Sequence, residues 1–419
     1  MHGCKGCFLK CCHGIHPLVL AVFVLALTPH ASAFPLLFKA AEAPGLLHSP
    51  RENLVAFSTP DNGKSWQRIP VQTDEVEDDV FLILRSPNVV FPIRQQVNHP
   101  PAKDPAQGML MPYHRITLNE KHFGSCDANC FSMGNLKSAK ICAGATPLPS
   151  ELHSITAAHS GERAFLGVCD TKPNTLKNAQ IEFEAKTQIV RTTEYSLKLS
   201  QDTPFLMDWL KLAGAQKSAI ENTELQAKLK TRMLVTVNIN SEDLKGKLAS
   251  VTNNSVGTSL EVATTDKVMG IKLVEQVCCD LSFFEDAFYF PVLVNIPGAL
   301  GKLRNGSDVN FSFLASSGEP PVYSSSEPPS LIIKQNEKYV GVAFRPLKRD
   351  TKTNAEVFGE KELRKRDLTK QNNGMSISLG GAEGEQRFEA WFYTGTNLDT
   401  LKNVVRNGVR YAIQPAALR

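Results

Sequence analysis

Residues 180–199 read QIEFEAKTQIVRTTEYSLKL, and their rhythm decides the fold class. Ile181, Phe183 and Ala185 fall on one side of an extended chain, while Glu182, Glu184 and Lys186 fall on the other. Tyr195, Leu197 and Leu199 repeat the period of two, the signature of a strand with one face on a core and one toward water. The rhythm recurs outward in both directions. Met233, Val235, Val237 and Ile239 alternate, as do Val309, Phe311 and Phe313, with apolar runs at 268–277 and 288–296. Upstream, 80–84 (VFLIL) and 164–169 (AFLGVC) are short strand candidates, and Pro92 argues against a central strand at 89–92. Downstream, 331–333, 339–344 and 388–393 resume strand character. Residues 398–406 (LDTLKNVVR) fit a short helix with Asn397 as cap and Asn407-Gly408 as stop, and a strand over 409–413 closes the chain.

Two segments break the pattern. Residues 204–230 (PFLMDWLKLAGAQKSAIENTELQAKLK) read as helical, with Asp202 or Thr203 as cap, Pro204 in the first turn and Gly214 dividing two helices. Residues 316–330 (SSGEPPVYSSSEPPS) hold five Pro or Gly and six Ser, the composition of a linker. The expected fold class is mainly β: antiparallel β-sandwich-like domains with a helical insert around 204–230. The expected organisation is a signal peptide at 1–33, a cysteine-stapled β-rich region at 34–175, a central sandwich-like domain at 176–315, the linker at 316–330 and a C-terminal β-rich region at 331–419.

The 419 residues are 42% hydrophobic and 21% charged, which excludes wholesale disorder, collagen and coiled coil. A net charge of +4 is too small to imply a nucleic-acid partner. Export is written at the N-terminus. Lys5 and Lys10 precede an apolar run over 18–27 (LVLAVFVLAL), Thr28-Pro29-His30 break it, and Ala31-Ser32-Ala33 place small residues where a signal peptidase reads. The run is about half the length of a membrane-spanning helix, which sets a cleaved signal ahead of the alternative of an uncleaved anchor. The mature chain is expected to start near Phe34, without a membrane span, in the periplasm, at the cell surface or secreted. Of the ten cysteines, Cys4, Cys7, Cys11 and Cys12 leave with the signal. Cys126, Cys130, Cys142, Cys169, Cys278 and Cys279 remain, an even number that favours disulfides outside the cytoplasm. Four of them within 126–169 predict up to two bridges there; the adjacent Cys278 and Cys279 read as a buried thiol pair or as bridging separate partners.

The sharpest local pattern is 59–66 (TPDNGKSW). Asp61 can accept N–H bonds across a tight turn, Gly63 allows positive φ, and Trp66 can pack on the hairpin base. The pattern resembles the Asp-box of sialidases and related β-propellers, where Ser/Thr, Asp, Gly and an aromatic recur at this spacing. The resemblance implies a β-hairpin over 55–72 built on Thr59, Asp61, Gly63 and Trp66, and no catalytic residue. Only one copy is present and no propeller period accompanies it.

Other clusters have plainer readings. The acids of 73–79 (TDEVEDD) suggest a Ca²⁺ site, but lack the order of a dedicated loop and read as a solvated turn. His114, His122, Cys126 and Cys130 are a possible zinc set, set against disulfide formation in an oxidising compartment. The mature histidines are His48, His99, His114, His122, His153 and His159, all before residue 160. The basic segment from Arg345 through Arg366 is interleaved with acids and reads as a solvated face. Phe283, Phe284, Phe288, Tyr289 and Phe290 read as core before sugar platform. Trp209 fits an amphipathic helix and Trp391 a sheet. No G-x-S-x-G, H-E-x-x-H, P-loop or G-x-G-x-x-G is present. The expectation is a non-catalytic exported protein, without cofactor or metal, that binds or scaffolds a glycan or another cell-envelope component. The alternative is a glycoside hydrolase-like enzyme using a carboxylate pair, for which sequence names no residues.

Overall fold

The 180–199 stretch forms three strands, Glu182–Glu184, Ile189–Arg191 and Tyr195–Leu199, paired in sequence as an antiparallel meander. Val190, Tyr195, Leu197 and Leu199 are buried, as the alternation requires. These come from a computed structural model that describes residues 34–74, 108–112, 114–127, 130, 133–143, 148–174, 176, 180–230, 236–241, 245–264, 267–268, 271–272, 276–296, 308–315, 321–346, 354–358, 374–378 and 384–416. Among these the chain is mainly β, in antiparallel sheets.

The meander belongs to a nine-stranded sheet continued by Met207–Leu212, Ile220–Lys230, Asp308–Ala315, Gly374–Ser378 and Asn354–Phe358, with Thr236–Asn240 paired beside Ile220–Lys230. Facing it is an eight-stranded sheet in the order Gly246–Asn253, Thr258–Thr264, Gln276–Phe283, Ala287–Ile296, Gly384–Gly395, Lys338–Pro346, Pro329–Gln335 and Tyr323–Ser326. One continuous apolar cluster joins the two inner faces: Leu197, Leu210, Ile220 and Phe313 meet Leu260, Phe283, Phe288, Val342 and Phe392. At its centre Phe288 and Phe392, directly opposite across neighbouring strands, stack at 4.4 Å, and Phe313 from the facing sheet meets Phe392 edge-on at 4.9 Å.

The eight-stranded sheet is also buried on its other face. The helix Leu398–Asn407 lies there, with Leu401, Val404 and Val405 turned into the sheet at the i, i+3, i+4 spacing of a helical stripe. Asn397 caps it by accepting the N–H groups of Asp399 and Thr400, both at 3.0 Å. Gly341 lets the helix sit close: a Cβ there would stand 2.6 Å from Val405 Cγ1.

The N-terminal part is a second pair of sheets. Pro35–Lys39, Arg115–Asn119 and Gln72–Asp74 form a three-stranded sheet over five strands in the order Tyr411–Pro415, Ser150–Ala157, Arg163–Val168, Leu54–Ser58 and Gln67–Ile69. Leu36, Phe38, Ile116 and Leu118 pack on Ala56, Ile155, Ala164 and Leu166. The last strand of the chain therefore pairs with the N-terminal part, at an edge that tolerates Pro415.

The helical insert at 204–230 is not formed: the segment is two strands, Met207–Leu212 and Ile220–Lys230. Leu, Met, Ala, Glu and Lys favour helix locally by only a few tenths of a kcal/mol each. Pairing with Tyr195–Leu199 on one side and Asp308–Ala315 on the other, over a common core, overrides that preference. Trp209 accordingly sits on a strand, with the Lys211 ammonium 5.1 Å from its ring centre. Within 316–330, Tyr323–Ser326 is the edge strand of the eight-stranded sheet and Pro329–Gln335 its neighbour; the serines and prolines suit an edge. Strand candidates at 80–84 and 89–92 and the alternation at 233 and 235 lie outside the described residues.

Phe392→Ala removes the ring that both inner faces share and is expected to cost about 3–5 kcal/mol of unfolding free energy. Urea denaturation of the variant checks this; a loss below about 1 kcal/mol would contradict a core centred there.

Candidate functional site

Covering the outer face of the eight-stranded sheet leaves a gap beside the strand Pro35–Lys39. A cleft of about 250 Å³ lies between that strand and the part of the sheet holding Glu389, Trp391 and Tyr393. Its backing is a run of stacked rings, Tyr289 on Trp391 at 4.7 Å and Trp391 on Tyr393 at 5.4 Å. The spacing follows from strand geometry: Tyr289 and Trp391 are cross-strand partners, and Tyr393 is two residues along the same face. Trp391 and Tyr393 are only 6% and 1% exposed, so the rings form a floor and not an open stacking platform.

Charged groups stand around this floor. The Arg115 guanidinium lies 5.5 Å from the Tyr289 ring centre, donates to the Tyr289 hydroxyl and pairs with Asp74 at 3.1 Å. The Arg345 guanidinium lies 5.6 Å from the Tyr393 ring centre and donates to the Val404 carbonyl at 2.8 Å. Glu389 accepts the Trp391 indole N–H at 2.7 Å. Glu42 accepts the Lys39 N–H at 3.1 Å and the Tyr411 hydroxyl at 3.2 Å. Burial pushes the Tyr393 phenol up to about 12 despite the opposing Arg345 charge, and burial followed by Glu42 raises Tyr411 further. Both phenols are therefore neutral at physiological pH. The cleft offers oriented acceptors and donors over an apolar floor, a combination suited to a small polar ligand.

The sequence-predicted residues gather elsewhere, on the far side of the five-stranded sheet. Leu54–Ser58 and Gln67–Ile69 pair as a hairpin around 59–66. Thr59 Oγ1 accepts the Gly63 N–H at 2.7 Å and donates to Asp61 at 3.0 Å. Asp61 accepts the Ser65 N–H and hydroxyl, each at 2.7 Å, and these bonds hold its carboxyl below the usual range. Trp66 is buried against Phe57 and Phe165 at 5.7 and 5.4 Å. Cys126 is bonded to Cys130 and Cys142 to Cys169, with Cα separations of 5.3 and 5.5 Å. The hairpin docks on the smaller cystine loop: Asn62 and Asp127 exchange hydrogen bonds of 2.8 and 2.9 Å, and Gly63, at φ 87°, sits so close that a Cβ would run into the Cys130 carbonyl.

The zinc set is thereby dismantled, because Cys126 and Cys130 spend their sulfurs on each other. His114 Nδ1 instead accepts the Met111 N–H at 2.8 Å. His122 is lowered to about 4, first by burial and then by the charge of Lys121. Among the described residues no group of three His, Cys, Asp or Glu is placed to hold a metal. Cys278 and Cys279 lie in the strand Gln276–Phe283, where Cys279 pairs with Val262 along the backbone. Of the acidic run only Asp74 is described, bound to Arg115 and Gln72. His99 and the basic residues from Lys348 to Arg366 lie outside the described residues.

The two parts of the chain meet at a buried charged junction. Glu120, 2% exposed, lies 3.3 Å from His159 Nε2 and accepts the Phe34 N–H at 3.4 Å. Beside it Lys121 pairs with Glu285. Burial, above all, drives the Asp286 carboxyl well above the carboxylate range, and burial with Glu120 raises Glu162. Sequence reasoning named Tyr289, Arg345, Trp391 and His159 without assigning them to a site, and it missed Glu42, Arg115, Glu120 and Glu389. One signal was present: in 388–393 (FEAWFY) both alternating faces carry aromatics, so such a strand must be covered on both sides and sit in a middle layer.

No family model and no curated protein matches the chain. Among solved structures it is similar to a glycosyl hydrolase family 38 protein from Enterococcus faecalis, at TM-score 0.41 and 8% identity over 89% of this chain and 49% of that one. It is also similar to an alpha-mannosidase from Enterococcus faecalis V583, at TM-score 0.37 and 8% identity over 90% and 48% of the two chains. The chain spans about half the length of these structures.

Gly63→Ala is expected to cost about 1–3 kcal/mol through its positive φ and the Cys130 carbonyl, seen as a lower urea midpoint; an unchanged midpoint would contradict the docking. For His122 the unfolded chain takes up a proton near pH 6.5, whereas the folded chain does so only at about 4. Its contribution to stability is complete above pH 6.5 and is lost as pH falls toward 4. His122→Gln should flatten the stability–pH curve in that window, and an unaltered slope would refute the assignment.

Proposed function

We propose that the chain is an exported, disulfide-bonded β-sandwich protein that binds a glycan or another cell-envelope component without turning it over, and that the cleft beside Pro35–Lys39 is its binding site. Export rests on the leader pattern of residues 1–33, together with two cystines of a kind that persist in oxidising compartments. No described helix is long and apolar enough to cross a membrane. The observation that carries the binding reading is the state of the cleft's carboxylates. Glu389 and Glu42 are each oriented by fixed donors, the Trp391 indole and the Tyr411 hydroxyl with the Lys39 N–H. Oriented carboxylates with guanidinium groups of Arg115 and Arg345 nearby are acceptors and donors for hydroxyl-rich ligands.

The second reading, a glycosidase, is favoured by one fact: two carboxylates line the same cleft. Catalysis requires one of such a pair to hold a proton while the other is ionised, at carboxyl separations of about 5–9.5 Å.

A glycan array and a glycosidase screen on protein starting at Phe34 separate the two. Binding without turnover is expected, and Glu389→Ala should weaken it about tenfold or more, the scale of one hydrogen bond to a charged group. Turnover abolished by both Glu42→Gln and Glu389→Gln would replace binding with hydrolysis. Silence in both assays would refute the glycan reading.

A further inference from the structure

The expected processing point falls between Ala33 and Phe34, and Phe34 is fully buried. Its ring meets Tyr393 edge-on at 5.3 Å and lies 6.4 Å from His159. Its N–H points at Glu120 Oε2 from 3.4 Å, and Glu120 returns its own N–H to the Phe34 carbonyl at 3.2 Å. The other carboxylate oxygen, Glu120 Oε1, is buried without any hydrogen-bond partner. A peptide N–H supplies one hydrogen and no charge, which leaves a buried carboxylate half satisfied. An α-ammonium at the same nitrogen supplies three hydrogens and a full positive charge, beside a His159 Nε2 that stands 3.3 Å from the same carboxylate oxygen.

We propose that Glu120 is the receptor for the new N-terminus: release of the leader turns the Phe34 amide into an α-ammonium that locks onto the Glu120 carboxylate and anchors the strand forming one wall of the cleft. The inference rests on the export reading. The chemistry is one hydrolysis. Water adds across the Ala33–Phe34 amide, the C–N bond breaks, Ala33 becomes a carboxylate, and the proton it releases completes the ammonium on Phe34. Desolvation opposes the ammonium, and contact with the Glu120 carboxylate favours it. Around Glu120, burial favours the neutral forms of Asp286 and Glu162, which add negative potential only when ionised; Lys121, held by Glu285, and a protonated His159 would oppose an ammonium. The lock places Phe34 between the sheet and the junction, and the chain continues from it directly into Pro35–Lys39.

The test uses the exported protein and the same chain released from a fusion with Phe34 first. N-terminal mass analysis of the exported protein should show Phe34. NMR titration of ¹⁵N-Phe34 should place the α-amino group about one unit or more above its ordinary value of about 8. Glu120→Gln, which keeps an acceptor but removes the charge, should return it to the ordinary value. Acetylating Phe34 preserves the N–H and removes the ammonium, and should lower the melting temperature by several degrees. An ordinary titration, or a melting point indifferent to acetylation, in a chain that does begin at Phe34 overturns the lock while leaving export intact. An exported chain that begins elsewhere overturns both the processing point and the lock.

Discussion

Left bare, the outer face of the eight-stranded sheet would expose Tyr289, Trp391, Tyr393, Ile332 and Ala343 together to water. Patches of that size are costly on a soluble protein, and the molecule is arranged to cover this one. The helix Leu398–Asn407 covers one part, Phe34 and Leu37 cover another, and Val256 closes the side. The sheet thereby becomes a middle layer, with the nine-stranded sheet on its inner face. Its cover is assembled from both ends of the chain, and so is imperfect. The cleft is what remains between the pieces.

This account also explains the polar character of the cleft. A gap above stacked aromatic rings fills with groups that can face water on one side and an aromatic on the other, and guanidinium does both. Arg115 and Arg345 lie over Tyr289 and Tyr393, and each spends further donors on a fixed acceptor, Asp74 or the Val404 carbonyl. Both guanidinium groups are thereby held in one orientation, and the binding proposed for this cleft would carry a low ordering cost. The N-terminal sheets hold the wall opposite. On their other side the Asp61 hairpin, its docked cystine loop and the bridge from Cys142 to Cys169 pack around Phe57, Trp66 and Phe165. The longer bridge, closing 27 residues, is worth about 3–4 kcal/mol relative to a reduced chain in the loop-entropy picture.

What could be read in advance depended on the range of the interaction. The turn at 59–66 was legible because its hydrogen bonds run between Thr59, Asp61, Gly63 and Ser65, residues at most four apart. The helix Leu398–Asn407 was legible for the same reason, through Asn397 and its two neighbouring N–H groups. The helical expectation for 204–230 fails because the decisive contacts are distant: Tyr195 opposite Leu212, and Thr223 opposite Phe313. Even there the stretch 223–230 (TELQAKLK) alternates strictly, a strand period masked by residues of good helix propensity. The cleft was invisible for a stronger reason, since Glu42, Arg115, Arg345 and Glu389 come from four separate places in the chain.

By itself the amino-acid sequence determined the β class, a hairpin within 55–72 and the capped helix near the C-terminus. Each of these follows from side-chain period or from bonds within a few residues. Only the tertiary structure decided the partners: two sheets closing over Phe288, Phe313 and Phe392, a final strand returning to pair with Ser150–Ala157, and Phe34 buried beside Glu120. Burial of apolar area is non-directional and favours any arrangement that hides it, so pairing across hundreds of residues is chosen by how the surfaces fit and not by any local pattern.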